Sequence, residues 1–420
     1  MREHTTKLRK TPKRNFSFLL LLGIIGPGLI TANAGNDAGG IFTYASVGAS
    51  YGYSMLWGLL LITFSLAVVS EMNARMAVVT GKGLSDLIRE HFGVKLTFFA
   101  MIVLLIANFG VVLGDFAGIA ASLELFGISR YISVPIFAII IWALVSKGSY
   151  KHVEKIFLAF TFVFFGYIIS CFLVKPDWVT VLHSTFTPTL KMDGGFLAIF
   201  IGMIGTTITP YMQFYLQSSI VDKRMKISEL KYERIDVYFG SIWGNAIAFF
   251  IIVCTAATLF KKGISITSAT QAAQALAPLA GQYAFILFGV GLLGASILAC
   301  SVIPLSTSYA ICEAFGFESG VDNKPKDAPA FYGIYTIIIA VGAAIILIPN
   351  LSLVNITIIS QQVAGILCPI ILIFMVVLVN NKKLMGKHTN TKVQNVLSIA
   401  TVAFIVALTF ILFVIIPFIH

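Results

Sequence analysis

Apolar residues in this chain follow neither a helical nor a strand period. They fill whole stretches, each long enough to cross the hydrocarbon of a bilayer, which takes about 20 residues of helix. Such stretches lie near 17–46, 53–78, 96–126, 131–146, 154–174, 195–219, 237–260, 283–312, 331–349, 355–380 and 396–418, about eleven in all. With no water to satisfy exposed N–H and C=O groups, each has to be a helix, so the chain reads as an all-α polytopic membrane protein. "SDLIRE" (85–90) and the region 269–280 read as short surface helices.

Two of the stretches are interrupted. The first contains "NAGNDAGG" (33–40), with Gly35, Gly39 and Gly40 around Asp37. The sixth contains "TTITP" (206–210), ending on Pro210 and followed by Tyr211 and Gln213. Each interrupted stretch opens a group of five. Broken helices at matching positions in two halves point to a transporter's central site. Because five is odd, the second copy has to run inverted. The chain then divides into a basic cytoplasmic N-terminus (1–15), a first five-helix repeat (16–175), an extracellular loop (176–193), a second, inverted repeat (194–380), and a cytoplasmic loop with an eleventh span (381–420).

Composition agrees: 58% of residues are hydrophobic and 11% charged, against about 25% charged in soluble domains. The net charge of +11 does not indicate nucleic acid, because Lys and Arg gather in short joints between spans, where they set topology. Arg2–Arg14, the joints with Arg75, Lys82 and Arg89, with Lys147, Lys151 and Lys155, with Lys223–Arg234 and with Lys382–Lys392 all fall on one side. They place the protein in the cell membrane with its N-terminus cytoplasmic and its C-terminus outside; only the acidic joint 313–330 departs from the rule. The basic start followed by Ala32-Asn33-Ala34 resembles a cleavable signal, but the long apolar run and the spans behind it favour an uncleaved first span. Five scattered cysteines form no C-x-x-C pair and read as packing residues.

Between Arg14 and Glu71 the only charge is Asp37. A carboxylate at membrane depth costs at least about 2.5 kcal/mol. No Lys, Arg or His lies deep within a span to neutralise it, so its partner has to be a proton or a cation from solution. Unwinding around the glycines frees backbone carbonyls. With the amides of Asn33 and Asn36 these make an oxygen-rich cation site. In span 6 the hydroxyls of Thr206, Thr207 and Thr209 and the carbonyls freed by Pro210 add further oxygens. The alternatives are a packing kink at Pro210 and a protonated, hydrogen-bonded Asp37.

The residues at these breaks carry a resemblance. "GPGLITANAGNDAGGIFTYASVGASYGYSMLW" (26–57) is similar, without gaps, to the first span of NRAMP-type divalent-metal transporters. "ARMAVVTGKGLSDLIREHFG" (74–93), "GMIGTTITP" (202–210) and "SQQVAGILCPIILIFMVVLVNNKKLMG" (360–386) resemble their span 2–3 connection, broken span 6, and span 10 with its following loop. The resemblance covers nearly the whole chain. It implies the LeuT-like fold, two inverted five-helix repeats plus one extra helix, with helices 1 and 6 broken. It also implies a metal site on Asp37, on the Thr206 carbonyl and near Gln361.

The departures concern the ion. Where the family motif is Asp-Pro-Gly-Asn, this chain reads Asp37-Ala38-Gly39-Gly40; Thr209 stands at the metal-binding methionine position and Tyr211 at the histidine position. This pattern resembles the NRAMP-related magnesium transporters. The chemistry agrees. A thioether favours soft ions, whereas one carboxylate with neutral oxygens suits Mg²⁺, which keeps several of its waters. Gly40 and Thr209 should widen the pocket for a hydrated ion. The expected function is import of Mg²⁺, with Mn²⁺ also carried, as transported substrate; no resident cofactor and no enzyme activity are implied. Tight proton coupling is not expected, since the histidine is replaced and span 9 has no arginine. Asp115 in "GDFAG" stands roughly where the family has an acid, as a proton relay, a pathway charge or a structural carboxyl.

The main rival is a proton-coupled Mn²⁺/Fe²⁺ symporter of the ordinary family type. An organic-solute transporter of the same fold would set Asp37 against a substrate carboxylate. An intramembrane aspartyl protease with an Asp37/Asp115 dyad would need glycine where Val112 stands. The sequence leaves the oligomeric state open and is compatible with a monomer.

Overall fold

The computed structural model describes residues 35–146, 163, 165–320 and 324–415, and these are helical throughout. The first half of span 1, including Asn33, the basic N-terminus and the joint at 147–155 lie outside the described residues. Helix α1 (Ala38–Tyr51) is the second half of the first span. It is followed by α2 (Leu56–Thr80), α3 (Leu84–Glu124), α4 (Arg130–Ser146) and α5 (Phe165–Val174). After α6 (Trp178–Phe186), span 6 comes as two pieces, α7 (Gly194–Thr207) and α8 (Pro210–Asp222). Then come α9 (Leu230–Thr258), α10 (Ala284–Phe315), α11 (Pro329–Ile346), α12 (Leu353–Val379) and α13 (Lys392–Phe410). Every apolar stretch read from the sequence has a helix in the described residues.

Two local features refine that reading. The 41 residues of α3 are more than one bilayer crossing, and Gly93 divides them with a non-helical backbone (φ 73, ψ −179). Only glycine enters that region without strain, so "SDLIRE" and the span behind it are separate arms of one element. The segment 176–193, read as a loop, contains α6. Its start is fixed by Asp177, whose carboxylate accepts from the N–H groups of Val179 (3.1 Å) and Thr180 (3.4 Å) and from the Thr180 hydroxyl. The bonds from Thr180 hold the Asp177 carboxyl below the usual carboxylate range.

The centre of the bundle is where the broken helices run. The most apolar window of the α7–α8 pair is 89% buried, that of α13 only 22%, so span 6 is the axis and α13 a flank. α3 packs along both α10 and α12, α7 lies on α12, and α9 covers α1 and α2. The α7–α12 contact is backbone on backbone. A Cβ at Gly205 would collide with the Gln361 carbonyl and Gly365, and one at Gly365 would collide with the Ile201 carbonyl. Small residues permit this approach between membrane helices. Large apolar side chains such as Ile139, Val393 and Val396 face outward, while Asn108, Asp115, Thr307 and Gln361 are wholly buried. That is the distribution expected when the solvent is lipid.

At the basic end of the bundle, Glu71 on α2 accepts from Arg75 Nη2 (3.0 Å), Arg234 Nε (2.8 Å) and Gln394 Nε2 (3.3 Å). Arg75 also donates to the His388 carbonyl (2.8 Å) and Asn390 Oδ1 (2.5 Å). This network fastens the joint between α12 and α13 to α2 and α9. Glu71 and Arg75 are each 2% exposed and Arg234 is 40% exposed, so the three are not equivalent. Removing one member of a buried pair costs about 3–5 kcal/mol, because the other is left uncompensated; an exposed partner is worth at most about 1 kcal/mol. Glu71→Ala is therefore expected to lower the thermal midpoint of the detergent-solubilised protein strongly and Arg234→Ala slightly; equal shifts would contradict this ranking.

Candidate functional site

The break in span 6 meets the turn that leads into α1. The Thr206 hydroxyl, in the last turn of α7, donates to the Gly35 carbonyl (3.1 Å), in the turn that leads into α1. Around this bond stand most of the residues singled out from the sequence. Asp37 is the N-cap of α1: its Oδ1 accepts from the Gly40 N–H (2.7 Å). An aspartate at a helix start is favoured by the unsatisfied N–H groups and the dipole there. The carboxylate thus has a local support that the sequence reading did not assign to it. Its location is still deeply buried.

Gly39 and Gly40 matter for close approach. A Cβ on Gly40 would collide with the Gly35 carbonyl and come within 3.0 Å of Thr206 Oγ1, so in this conformation that oxygen pair fills the space an asparagine would need. The wider pocket expected at Gly40 is therefore not what this conformation holds. A Cβ on Gly39 would collide with the Gln361 side-chain amide. Gln361, on α12, is 0% exposed, and neither its Oε1 nor its Nε2 has a hydrogen-bond partner. An unpartnered buried amide costs about 1–3 kcal/mol, and the Gln361 amide is left open to a polar partner.

Thr209 caps α8 ahead of Pro210, and its hydroxyl donates to the carbonyls of Gly205 (2.7 Å) and Thr206 (3.1 Å). The Thr206 carbonyl, left without a helical partner by the break, keeps one lone pair free. Asn36 is turned to α9, donating from Nδ2 to the Gly244 carbonyl (3.3 Å), which leaves its Oδ1 as the candidate ligand. Gln213 is pinned by Asn73 of α2, whose Nδ2 reaches its carbonyl (2.5 Å) and its Oε1 (3.3 Å); this gives it a structural task. Tyr211 is buried beside the break.

Asp115 belongs to the same neighbourhood. One turn from it, Gly118 packs so tightly that a Cβ would collide with Ala38 Cβ and Ser296 Oγ. The Asp115 carboxylate faces the Ala38 N–H without closing a hydrogen bond, and both its oxygens are buried and unpartnered. Among the described residues no basic side chain pairs with Asp37 or Asp115. Nor do three His, Cys, Asp or Glu side chains come together as a metal cage. What converges is two carboxylates, one amide, hydroxyls and carbonyls: hard oxygen donors with too little positive charge among them.

One feature had no signal in the sequence beyond the Thr-Thr pair. Tyr44 of α1 donates to Thr207 Oγ1 (2.8 Å), whose own proton goes to the Met203 carbonyl (2.8 Å). This second bond between α1 and α7 sets the spacing of the breaks. For Gly39, the collision partner is a side-chain tip, so Gly39→Ala is expected to destabilise by about 1–3 kcal/mol as an overpacking change. Gln361→Ala added to it should recover most of the lost thermal midpoint; no recovery would mean that backbone strain is the cause.

Comparison with known proteins gives the family. The family described as natural resistance-associated macrophage protein-like (Nramp) matches residues 28–415. The divalent metal cation transporter MntH of Caldanaerobacter subterraneus subsp. tengcongensis is 26% identical over 418 residues, covering 97% of this chain and 96% of the relative. The crystal structure of the Eremococcus coleocola manganese transporter with an aromatic bis-isothiourea compound superposes with a TM-score of 0.75 at 21% identity, covering 96% of this chain and 88% of that one. MhsT in complex with L-phenylalanine shares the fold at a TM-score of 0.62 and 17% identity, covering 93% and 98%. The architecture is thus the LeuT-like one that the resemblance implied, and the chain is a multi-pass membrane protein that belongs to the Nramp family.

Proposed function

We propose that this chain carries a divalent metal cation across the membrane by alternating access, the ion sitting where the two breaks meet. The observation that carries the reading is the joined pair of breaks, Thr206 to the Gly35 carbonyl, with Asp37 and the unpartnered Gln361 amide beside it. The names of the relatives, a divalent metal cation transporter and a manganese transporter, support the substrate class. Asp37 supplies the charge. The Thr206 carbonyl, Thr209, Asn36 and Gln361 hold the ion or its waters, with Asn33, outside the described residues, expected to join them; at Gly40 the Gly35 carbonyl and Thr206 Oγ1 take the place of a side chain. Loop charges favour a cytoplasmic location for the basic end.

For the ion itself, the donor set favours Mg²⁺ with part of its hydration shell, because nothing soft stands at either break. A second reading has its own support. The relatives' names favour Mn²⁺, and the unpartnered Asp115 carboxylate has to be met by a proton or a cation, as a proton-coupled symporter would require. Thr209 separates the two: Thr209→Met restores a thioether and should raise Cd²⁺ competition against Mg²⁺ uptake, whereas an unchanged Cd²⁺ effect would remove Thr209 from the selectivity argument.

The deciding measurement is uptake into proteoliposomes holding a pH-sensitive dye. Mg²⁺ uptake without acidification, abolished by Asp37→Ala, is the expected result. Mn²⁺ uptake with acidification, lost in Asp115→Asn, together with no Mg²⁺ uptake, would replace it with the proton-coupled reading.

A further inference from the structure

A second group of oxygens meets at the basic end, away from the breaks. Gly83 precedes α3 in an ordinary extended conformation (φ −65, ψ 160). The point where its Cβ would sit lies 3.0 Å from Glu313 Oε2, 3.6 Å from Asp86 Oδ2 and 3.7 Å from Ser218 Oγ. These oxygens come from three elements: the start of α3, the end of α8 and the end of α10. Asp222 stands one turn beyond Ser218 on α8.

Two further facts separate this from a set of solvated surface acids. Glu313 Oε2 is shut off from solvent and has no hydrogen-bond donor. Gln217, 0% exposed, gives its Nε2–H to the Lys82 carbonyl (2.9 Å) at the same turn, and its Oε1 is left without a partner. Lys82, in the same turn, gives its Nζ to Glu90 (2.5 Å). Among the described residues no Lys or Arg pairs with Asp86, Asp222 or Glu313. The Asp86 carboxylate has the Gly83 N–H beside it, but Glu313 Oε2 and Gln217 Oε1 are acceptors without a donor, on an end of the molecule otherwise rich in positive charge.

We propose that a hard divalent cation binds here, between Asp86 and Glu313, with Ser218 and Gln217 as neutral oxygens. Two carboxylates with the remaining positions left to water is the usual protein contribution to Mg²⁺. The site joins α8, the half-helix beyond the break, to α3 and α10, which pack on each other. A bound cation therefore ties the broken span to its frame at this mouth and holds the mouth shut. Binding stands on the geometry alone; the locking effect rests on the transport reading above and makes transport sensitive to the ion already delivered.

The probe is Mn²⁺ alone, counted by electron paramagnetic resonance on the full-length, detergent-solubilised Asp37→Ala protein. One tightly bound equivalent is expected to remain, and to be lost on adding Gly83→Ala or Glu313→Gln. Gly83→Ala changes no charge and fits the backbone; it only fills the gap. No remaining equivalent, or one that survives both changes in folded protein, overturns the site. For the locking effect, Mg²⁺ loaded into right-side-out vesicles should slow Mn²⁺ uptake by at least about fivefold, and Gly83→Ala should abolish the slowing. Equal slowing in both overturns it. A protein that carries no ion at all would instead defeat the transport reading and the locking effect with it, while the Mn²⁺ count still decides the site.

Discussion

The bond from the Thr206 hydroxyl to the Gly35 carbonyl is the constraint on which the rest of the site depends. Breaking a helix inside a bilayer strands carbonyls that lipid cannot satisfy. Here the turn before α1 is laid against the break of span 6, so that a hydroxyl of one satisfies a carbonyl of the other. The arrangement requires small residues where the chains converge, which accounts for Gly39 and Gly40, and a polar outward partner, which accounts for Thr206. It also fixes Asp37 at a helix start, where its charge is tolerated, within reach of oxygens from a helix far away in sequence.

Much of this was legible in the sequence. The spans follow from solvent: lipid demands long apolar helices, and such stretches are visible without knowing what packs on what. The breaks are equally visible, because Gly and Pro inside an apolar run interrupt a helix that lipid would otherwise keep whole. Less legible were the consequences of packing. That Gln213 serves Asn73, that Asn36 turns its amide to Gly244, and that Tyr44 reaches Thr207 depend on which helix faces which. α6 was hidden because an Asp177 cap on a short half-apolar helix looks like any polar loop.

The ion is where sequence and kinship pull apart. Kinship places the chain in the Nramp family, whose relative from Caldanaerobacter is named a divalent metal cation transporter. On the reading proposed above, the donor set, with threonine at 209 and no thioether there, suits a harder ion. Both follow from one architecture, because the fold supplies the crossing of the breaks and leaves the donor atoms to a few side chains. Asp115, buried with both carboxylate oxygens unpartnered, is where the two proposed readings differ.

The Gly205–Gly365 contact has a bearing on how such a sequence can drift. Each glycine is barred from gaining even a methyl by the backbone of the opposite helix. Neither position has a small first step available, and a change at one cannot be accommodated by trimming the other, which has nothing left to trim. A side chain at either position would have to part the two helices, whereas an exchange of a donor residue beside the seam need not move them.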